Sequence, residues 1–379
     1  MRIYLDHNAT TPVHPEVVEA MTAVLRERWG NPSSTHAEGA AAREAVERAR
    51  EQVAELLGAE PREVVFTSGA SEANNTVLRG VLARSGGRHV VTTTVEHPSV
   101  AEPLLALEQE GLAVSRVSVD AEGRLDPGAV AAALREDTAL LSVILANNET
   151  GVVQDAAKLA ELAHARGIPV HLDTTQAVGK LPLDRIALGA DWLVGSAHKL
   201  NGPKGAGFWI GPVQRPLPAL VQGGGQERRR RGGTENVAGI VGLGVACTLA
   251  RNELPERARH ATQLRDALWS GIEARVPHVR RNGSPAHMLP NTLNVEFQGA
   301  PGEVLLEALD LEGVAVSAGA ACHSGSIEAS SVLLAMGRSE AEARGSLRFS
   351  FGPENTAAEL ARVLELLPRL VARVRAAGA

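Results

Sequence analysis

The sequence is poor in cysteine and lacks a long hydrophobic run, and each absence excludes a class of protein. Only two cysteines, Cys247 and Cys322, occur in 379 residues, which is too few for a disulfide framework. We therefore expect a cytoplasmic protein in a reducing compartment. The longest uncharged apolar stretch, residues 237–250, is shorter than the ~20 residues that span a bilayer. The N-terminus carries no signal-peptide pattern, so we expect no membrane partner.

Lysine is scarce as well, since arginine supplies all but four of the 38 basic side chains. The net charge of −6 gives no general reason to expect a nucleic-acid partner. One basic run, residues 228–231, lies among glycines and has no interleaved aromatic side chains that could stack on bases. This run is more typical of a loop that faces a phosphate group or a subunit interface.

One of the four lysines, Lys199, follows a short apolar run and a histidine. Its amine can form a Schiff base once desolvation lowers its pKa, whereas the guanidinium of arginine cannot. A second apolar run ends at Asp173, and an amine paired with an acid is what pyridoxal phosphate (PLP) requires. The pair predicts a PLP site. The alternative is that Lys199 is an ordinary solvated surface lysine. Lys158 fits that description, whereas position alone does not show whether Lys180 and Lys204 are surface lysines.

The order of elements predicts an α/β fold with a mostly parallel sheet between helices. Short apolar strands alternate with helical segments from residue 64 to residue 210, as in sheets covered on both faces. A long amphipathic helix near residues 254–276 precedes segments typical of a smaller C-terminal α+β domain. We expect a large domain of residues 15–255 and a small domain of residues 1–14 and 256–379 that carries the Cys322 loop.

Polar side chains follow several of the predicted strands. His97, Asn148 and Asp173 each lie at such a strand end, and Gln176 comes three residues after Asp173. Because ligands bind beyond the carboxyl ends of parallel strands, we expect these side chains near Lys199 on one edge of the sheet. His97 could stack on a flat ring there, although a lone histidine is more often structural.

The small residues before Ser71 join a strand to a helix, as in phosphate-binding turns. A helix cap formed by Ser71 is an equally good interpretation. Cys322 lies among Gly, Ala and Ser, next to His323, which favours a reactive thiol, whereas Cys247 fits a buried apolar helix. Arg348, on a predicted strand, could hold a substrate carboxylate or form a structural ion pair.

Together these motifs resemble the cysteine desulfurases, which are PLP enzymes of the class V aminotransferase group with the type I fold. The resemblance runs nearly end to end. Its motifs are residues 4–12, 30–34, 66–72, 147–151, 198–205 and 348–350.

The resemblance implies a role for each of these side chains. It makes Lys199 the residue that bonds to the PLP aldehyde, Cys322 the sulfur acceptor and His97 the residue stacked on the ring. Asp173 would pair with the ring nitrogen, and Gln176 would contact the ring hydroxyl. Asn148 and Arg348 would position the substrate carboxylate. The cofactor-binding set that it implies is Ala70, Ser71, His97, Asn148, Asp173, Gln176, Ser196, His198, Lys199 and, from the other subunit of a homodimer, Thr234.

The implied function is conversion of L-cysteine to L-alanine, with the sulfur carried as a persulfide on Cys322. The sulfur would supply iron–sulfur assembly or thiolation, and the loop of residues 324–331 resembles the group that feeds iron–sulfur scaffold proteins directly. No metal is implied, apart from transient ligation of an iron–sulfur cluster through the Cys322 persulfide. The segments around Cys322 and residues 224–228 also resemble selenocysteine lyases, which is the alternative activity. A non-enzymatic PLP-fold subunit is the third hypothesis.

Overall fold

The computed structural model describes residues 2–319 and 329–377. The strands are β1 (Ile3–Tyr4), β2 (Val64–Thr67), β3 (His89–Thr93), β4 (Ala113–Val117), β5 (Thr138–Ile144), β6 (Val170–Asp173), β7 (Trp192–Ser196), β8 (Gly207–Ile210), β9 (Val279–Asn282), β10 (Thr292–Phe297), β11 (Val314–Ala315) and β12 (Ser346–Ser350). The helices are α1 (Pro15–Glu27), α2 (Ala37–Leu57), α3 (Ala70–Ser85), α4 (Pro98–Gln109), α5 (Pro127–Ala133), α6 (Ala156–His164), α7 (Gln226–Arg229), α8 (Val237–Arg275), α9 (Gly302–Leu311), α10 (Ser331–Ala335), α11 (Glu340–Arg344) and α12 (Ala357–Ala377).

The main sheet has seven strands in the order β2-β8-β7-β6-β5-β3-β4. All of its pairings are parallel except those of β8, which runs antiparallel to β2 and β7. The central strands are buried along their whole length because helices cover both faces of the sheet, and every residue of β5 and β6 is buried. The predicted α/β fold with a mostly parallel sheet is confirmed.

A second, smaller region combines two short sheets with helices. Strands β9, β10 and β12 form an antiparallel sheet, and β1 pairs in parallel with β11. The apolar side chains of these strands pack against α12 and the end of α8. Ile3, Leu293, Phe349 and Leu367 all belong to this hydrophobic cluster. The expected α+β part is therefore present near the C-terminus, joined by the N-terminal strand.

Helix α8 runs without interruption for 39 residues through Pro255, whereas the sequence indicates two separate helices, one around Cys247 and one near residues 254–276. Its first half packs in the core of the main sheet through Leu243 and Cys247. Its second half packs in the smaller region through Leu268 and Ile272. Within residues 2–319 and 329–377, α8 is the one helix long and apolar enough to cross a membrane, but half of its most apolar window is buried in the protein, as in a core helix.

A buried ion pair holds the loop that precedes α8 against the main sheet. Arg50 donates through both terminal nitrogens to the Glu227 carboxylate, each at 2.8 Å, and the same carboxylate accepts from the Phe66 N–H at 2.9 Å. Glu227, Arg228 and Arg229 adopt left-handed backbone angles, with φ of 47°, 56° and 65°. Since such angles are unfavourable for non-glycine residues, the buried Glu227 contacts help to fix this turn.

The parallel strands place the polar residues that follow them on one edge. His97 lies at the start of α4 after β3, and Asn148 follows β5. Asp173 is the last residue of β6, and Lys199 comes three residues after the end of β7. In a parallel sheet the carboxyl ends of neighbouring strands share one edge, so these residues converge there.

Candidate active site

A cavity of about 630 Å³ opens at this edge of the main sheet. Its volume is within the range of small-molecule binding sites. Nine residues of the predicted site line it, namely Ala70, Ser71, His97, Asn148, Asp173, Gln176, Ser196, His198 and Lys199. The acid and the amine from which the PLP hypothesis starts therefore face the same cavity.

Asp173 is a buried carboxylate held by neutral donors. It accepts from Asn74 Nδ2 through Oδ2 at 2.9 Å and from the Thr175 N–H through Oδ1 at 3.0 Å. Among the described residues, no Lys, Arg or His forms an ion pair with it. A buried carboxylate without a cation is costly, so this site suits a ligand that brings a protonated nitrogen.

Lys199 donates from Nζ to the backbone oxygens of Asn8 at 2.6 Å and Ala9 at 2.8 Å. Burial, and then the positive charge of Arg348, lower the pKa of Lys199 from its ordinary value to about 8, against opposing effects of Asp6 and Asp173. A lowered pKa keeps more of the amine neutral and nucleophilic near neutral pH. The environment therefore suits covalent chemistry at this amine.

The lowered pKa of Lys199 predicts how cofactor uptake depends on pH. Only the neutral amine attacks an aldehyde, so the rate at which PLP-free protein binds PLP should rise with pH and level off above about 8. The growth of the cofactor's visible absorption after stopped-flow mixing measures that rate between pH 6 and pH 11. A half-maximal rate near pH 10.5, the ordinary lysine value, would contradict the proposed environment of Lys199.

A chain of hydrogen bonds links Asp173 to His97. Asn74 Nδ2 also donates to Ser99 Oγ at 2.9 Å, and His97 Nδ1 lies 2.8 Å from that oxygen and accepts from the Ser99 N–H at 3.1 Å. Because Nδ1 accepts, its proton is absent and the neutral ring carries hydrogen on Nε2. Burial is the main cause that lowers the pKa of His97. His97 thus presents a neutral, fixed ring to the cavity.

The start of α3, which lines the cavity, is suited to an anion. Helix α3 begins after Gly69 without a side-chain cap, so the amides of its first turn have no side-chain acceptor there. The cap interpretation of Ser71 is therefore wrong, because Ser71 is the second helical residue. The free amides and the helix dipole attract a phosphate, and Ser196 and His198 line the same cavity. Burial and the nearby lysines lower the pKa of His198 to about 4, so it is neutral.

Arg348 lies beside this cavity but does not line it. It is buried. It donates from Nη2 to Asp6 Oδ1 at 2.6 Å and from Nη1 to the backbone oxygen of Asn148 at 3.0 Å. Its Nε–H is buried and has no acceptor among the described atoms. The structural ion pair considered for Arg348 is therefore present, and the predicted contact with a substrate carboxylate stays a prediction.

Two further predicted site residues do not line this cavity as described: Thr234 lines a neighbouring cavity, and Cys322 lies outside the described residues. Thr234 lines an adjoining cavity of about 260 Å³ that shares Ser68 and Gly205 with the first one. The prediction for Thr234 concerns a second subunit, which a single chain does not test. Cys322 lies outside the described residues, so its predicted role stays a prediction. Cys247 is buried as expected, and burial raises the pKa of its thiol.

The sequence analysis assigned no role to Asn8, which connects the parts of the site. Its backbone oxygen accepts from Lys199 and Gln176, and its side chain contacts Lys180 and Thr292. The sequence feature that could have indicated Asn8 is the polar segment after Leu5, which is part of the motif of residues 4–12. Asn74 was missed as well, because it lies one helical turn beyond the phosphate-binding turn.

The arrangement fits PLP in three respects. A buried carboxylate without a cation lies in the same cavity as a desolvated amine. The uncapped start of α3 offers amides to a phosphate, and a Cβ on Gly69 would meet only Ser196 Oγ, at 3.7 Å. The neutral ring of His97 lines the same cavity. Within residues 2–319 and 329–377, no group of three or more His, Cys, Asp and Glu side chains is placed to hold a metal ion.

Comparison with known proteins identifies the class. Residues 3–363 match the aminotransferase class-V family, and the chain belongs to that family of PLP-dependent enzymes. Within it, the chain is a member of the cysteine desulfurases, as its relatives show. The cysteine desulfurase of Cereibacter sphaeroides is 48% identical over 379 residues, which cover 99% of this chain and 97% of that protein. The cysteine desulfurase IscS of Dictyoglomus turgidum is 42% identical over 98% of this chain and 95% of that protein.

Solved structures agree with this assignment. A NifS-like protein that is 36% identical superposes with a TM-score of 0.93, over 98% of this chain and 100% of that chain. SspA, solved in complex with cysteine, is 35% identical and superposes with a TM-score of 0.83, over 94% of this chain and 100% of its own. The type I fold expected from the sequence motifs is therefore confirmed.

Proposed function

We propose that the protein is a cysteine desulfurase that transfers the sulfur of L-cysteine to Cys322 and releases L-alanine. The observation that carries the proposal is the single cavity in which a buried carboxylate, Asp173, and a desolvated amine, Lys199, both lie. Curated relatives that are named cysteine desulfurases support the same activity. They give no support to the selenocysteine lyase alternative.

PLP, when bound, supplies the aldehyde that bonds to an amine and the ring that accepts electrons from the substrate α-carbon. The chain's own groups do the rest. Asp173 would hold a proton on the ring nitrogen, and the first amides of α3 would hold the phosphate. The amine of Lys199 would take the α-proton of the substrate, for which its lowered pKa suits it.

Sulfur transfer is the part of the proposal that depends on Cys322. Its thiolate takes the substrate sulfur, so the bond from carbon to sulfur breaks and a sulfur–sulfur bond forms. A proton replaces sulfur on the β-carbon, and L-alanine leaves. The persulfide then passes its outer sulfur to an acceptor, for which we propose an iron–sulfur scaffold or another sulfur-accepting protein.

The assembly and location of the enzyme are also proposals. We propose a homodimer in which Thr234 completes the phosphate site of the partner subunit. Thr234 lines a cavity that adjoins this chain's own site, so its reach into a partner subunit rests on the family resemblance alone. The cytoplasmic location stays a prediction that rests on the small number of cysteines.

Incubation with ³⁴S-labelled L-cysteine, followed by peptide mass mapping, tests the sulfur carrier. We expect the label on Cys322 in the unaltered protein and on no residue in a Cys322→Ala variant that still binds PLP. Cys247→Ala is the matched control, because that thiol is buried, and it should leave labelling of Cys322 unchanged. Label on Cys247 at the normal rate in Cys322→Ala would overturn the role of Cys322.

Arg348→Lys tests how the substrate carboxylate is held. An ammonium lacks the planar set of donors of arginine, so one charge-assisted hydrogen bond is lost, and we expect KM for L-cysteine to rise by about 10- to 100-fold. The turnover number should change less, because the contact exists before and during the reaction. Steady-state kinetics measures both values. Arg362→Lys, an exposed residue of α12, is the matched control.

An unchanged KM in Arg348→Lys would show that the carboxylate binds elsewhere. The ion pair with Asp6 could then be the whole purpose of Arg348. Denaturant unfolding of the same variant separates a binding effect from a loss of stability.

A further inference from the structure

Lys180 lies next to the active site, and the proposed reaction does not use it. It is half-buried as a residue, and burial of its amine lowers the pKa of Lys180 well below its ordinary value. The charged groups that act on it, Lys199 and Arg348, are both positive and lower its pKa further. Within the described ranges, no carboxylate forms an ion pair with Lys180. An amine in such a place is more useful as a neutral donor than as a charge.

The amine of Lys180 donates to the side-chain oxygens of two amides. Nζ lies 2.7 Å from Gln176 Oε1 and 3.2 Å from Asn8 Oδ1. An amide side chain has an oxygen that accepts and a nitrogen that donates, and it can rotate to exchange them. Because Lys180 donates to both oxygens, both amides are held with their oxygens towards Lys180.

The orientation of Gln176 determines what it presents to the cavity. Its nitrogen faces away from Lys180 and donates one hydrogen to the Asn8 backbone oxygen at 2.9 Å. Lys199 donates to the same oxygen at 2.6 Å. The amide nitrogen of Gln176 and the amine of Lys199 are therefore neighbours, and both residues line the cavity.

The structure of PLP indicates which of its atoms would lie near Gln176. The ring carbon that bears the hydroxyl oxygen is next to the carbon that bears the aldehyde. The family resemblance implies that Gln176 contacts this ring oxygen, and the place of the Gln176 nitrogen beside the Lys199 amine suits such a contact. The remaining N–H of Gln176 suits a negatively charged oxygen there, whereas its C=O would repel it.

We propose that Lys180 is a positioning residue that holds the Gln176 amide with its N–H towards the ring oxygen of PLP. The proposal rests on the proposed function only in that PLP binds to Lys199. It requires no charge on Lys180, only a donor at that place. Lys180 itself touches neither the cofactor nor the substrate.

Lys180→Met tests the proposal, because methionine fills a similar volume without donors. Loss of the orientation leaves the ring oxygen without its donor. The negative charge on that oxygen is largest once the nitrogen that joins PLP to Lys199 has lost its proton. The pH at which the visible absorption of bound PLP titrates should therefore rise by about half a unit to one unit, the equivalent of one hydrogen bond. Lys158→Met, at an exposed site on α6, is the matched control and should titrate as the unaltered protein does.

A double-mutant cycle separates orientation from charge. Removing any positive charge near Lys199 also raises that titration pH, with or without Gln176. If Lys180 acts through the amide, Lys180→Met should add no shift in a Gln176→Met background. A shift of the same size in both backgrounds would overturn the proposal, and so would an unchanged titration in Lys180→Met alone.

A second variant covers the case in which Lys180→Met no longer binds PLP. Lys180→Arg keeps a donor, and a cavity of about 50 Å³ beside Lys180 provides room for the larger group. If PLP binds to Lys180→Arg but not to Lys180→Met, and the bound PLP titrates near the pH of the unaltered protein, the proposal is supported. Failure of Lys180→Arg to restore either property would overturn it. Failure of the proposed function would differ, because the unaltered protein itself would then bind no PLP.

Discussion

Lys199→Ala is expected to lower the rate of alanine formation from L-cysteine by about 10⁴-fold, at the upper end of what loss of a general base costs. The variant loses both the amine that bonds to PLP and the base that takes the α-proton. Its amine is held in place by hydrogen bonds to the backbone oxygens of Asn8 and Ala9. Measurement of alanine release under single-turnover conditions, with PLP added in excess, gives the effect.

The matched control is Lys204→Ala, which changes another lysine that lines the same cavity. We expect that variant to keep the characteristic absorption of bound PLP and most of its activity. If Lys199→Ala kept more than about a tenth of the activity, the assignment of the base would be wrong, since a general base typically contributes ~10²- to 10⁴-fold. Equal losses in both variants would indicate a general effect of positive charge in the cavity.

Asp173→Asn is expected to lower the turnover number by about 10²- to 10³-fold, as does removal of one preorganised electrostatic contact in other enzymes. The amide is nearly the same size, so the change removes charge rather than volume. The new NH₂ group would also face the N–H groups of Asn74 and Thr175, which donate to the carboxylate in the unaltered protein. A ring nitrogen without a carboxylate partner loses its proton, and the ring then withdraws electrons poorly.

The absorption spectrum of bound PLP and steady-state kinetics measure the two consequences of Asp173→Asn. The matched control, Asp155→Asn, changes an exposed carboxylate at the start of α6, where asparagine caps equally well. Full turnover in Asp173→Asn would show that the ring nitrogen needs no acid. An unchanged turnover in the control is part of the expectation.

Much of the fold was predictable because buried strands and amphipathic helices leave clear patterns. The predicted strands that precede His97 and Asn148, and the one that ends at Asp173, are all present. Helices α1 and α2 were not predicted. Their sequences are rich in Ala, Glu and Arg, and neither lies between two strands of the sheet, so the alternation of elements gave no signal.

The antiparallel direction of β8 was also beyond the sequence analysis. A fully apolar strand of four residues has no sequence feature that indicates its direction relative to its neighbours in the sheet. The division into residues 15–255 and residues 1–14 with 256–379 stays a prediction. Two separate hydrophobic clusters, one with Leu243 and one with Leu268, are compatible with it.

The site was predictable where one residue type at a strand end implies one chemistry. Lys199 and Asp173 met that condition, and both lie in the cavity. Asn8, Asn74 and Lys180 did not, because an amide or a lysine in a polar segment has many ordinary roles. Their function depends on contacts between residues far apart in sequence, such as Lys180 with Asn8, which only a folded chain shows.

Reduction of the PLP-loaded protein with borohydride, followed by peptide mass mapping, tests the central claim most directly. The reagent converts the bond between an amine and the PLP aldehyde into a stable link, and the chain offers only four lysines. We predict that the peptide containing Lys199 carries the added mass of the cofactor. Cofactor mass on Lys180 or Lys204 instead, with Lys199 unmodified, would contradict the account.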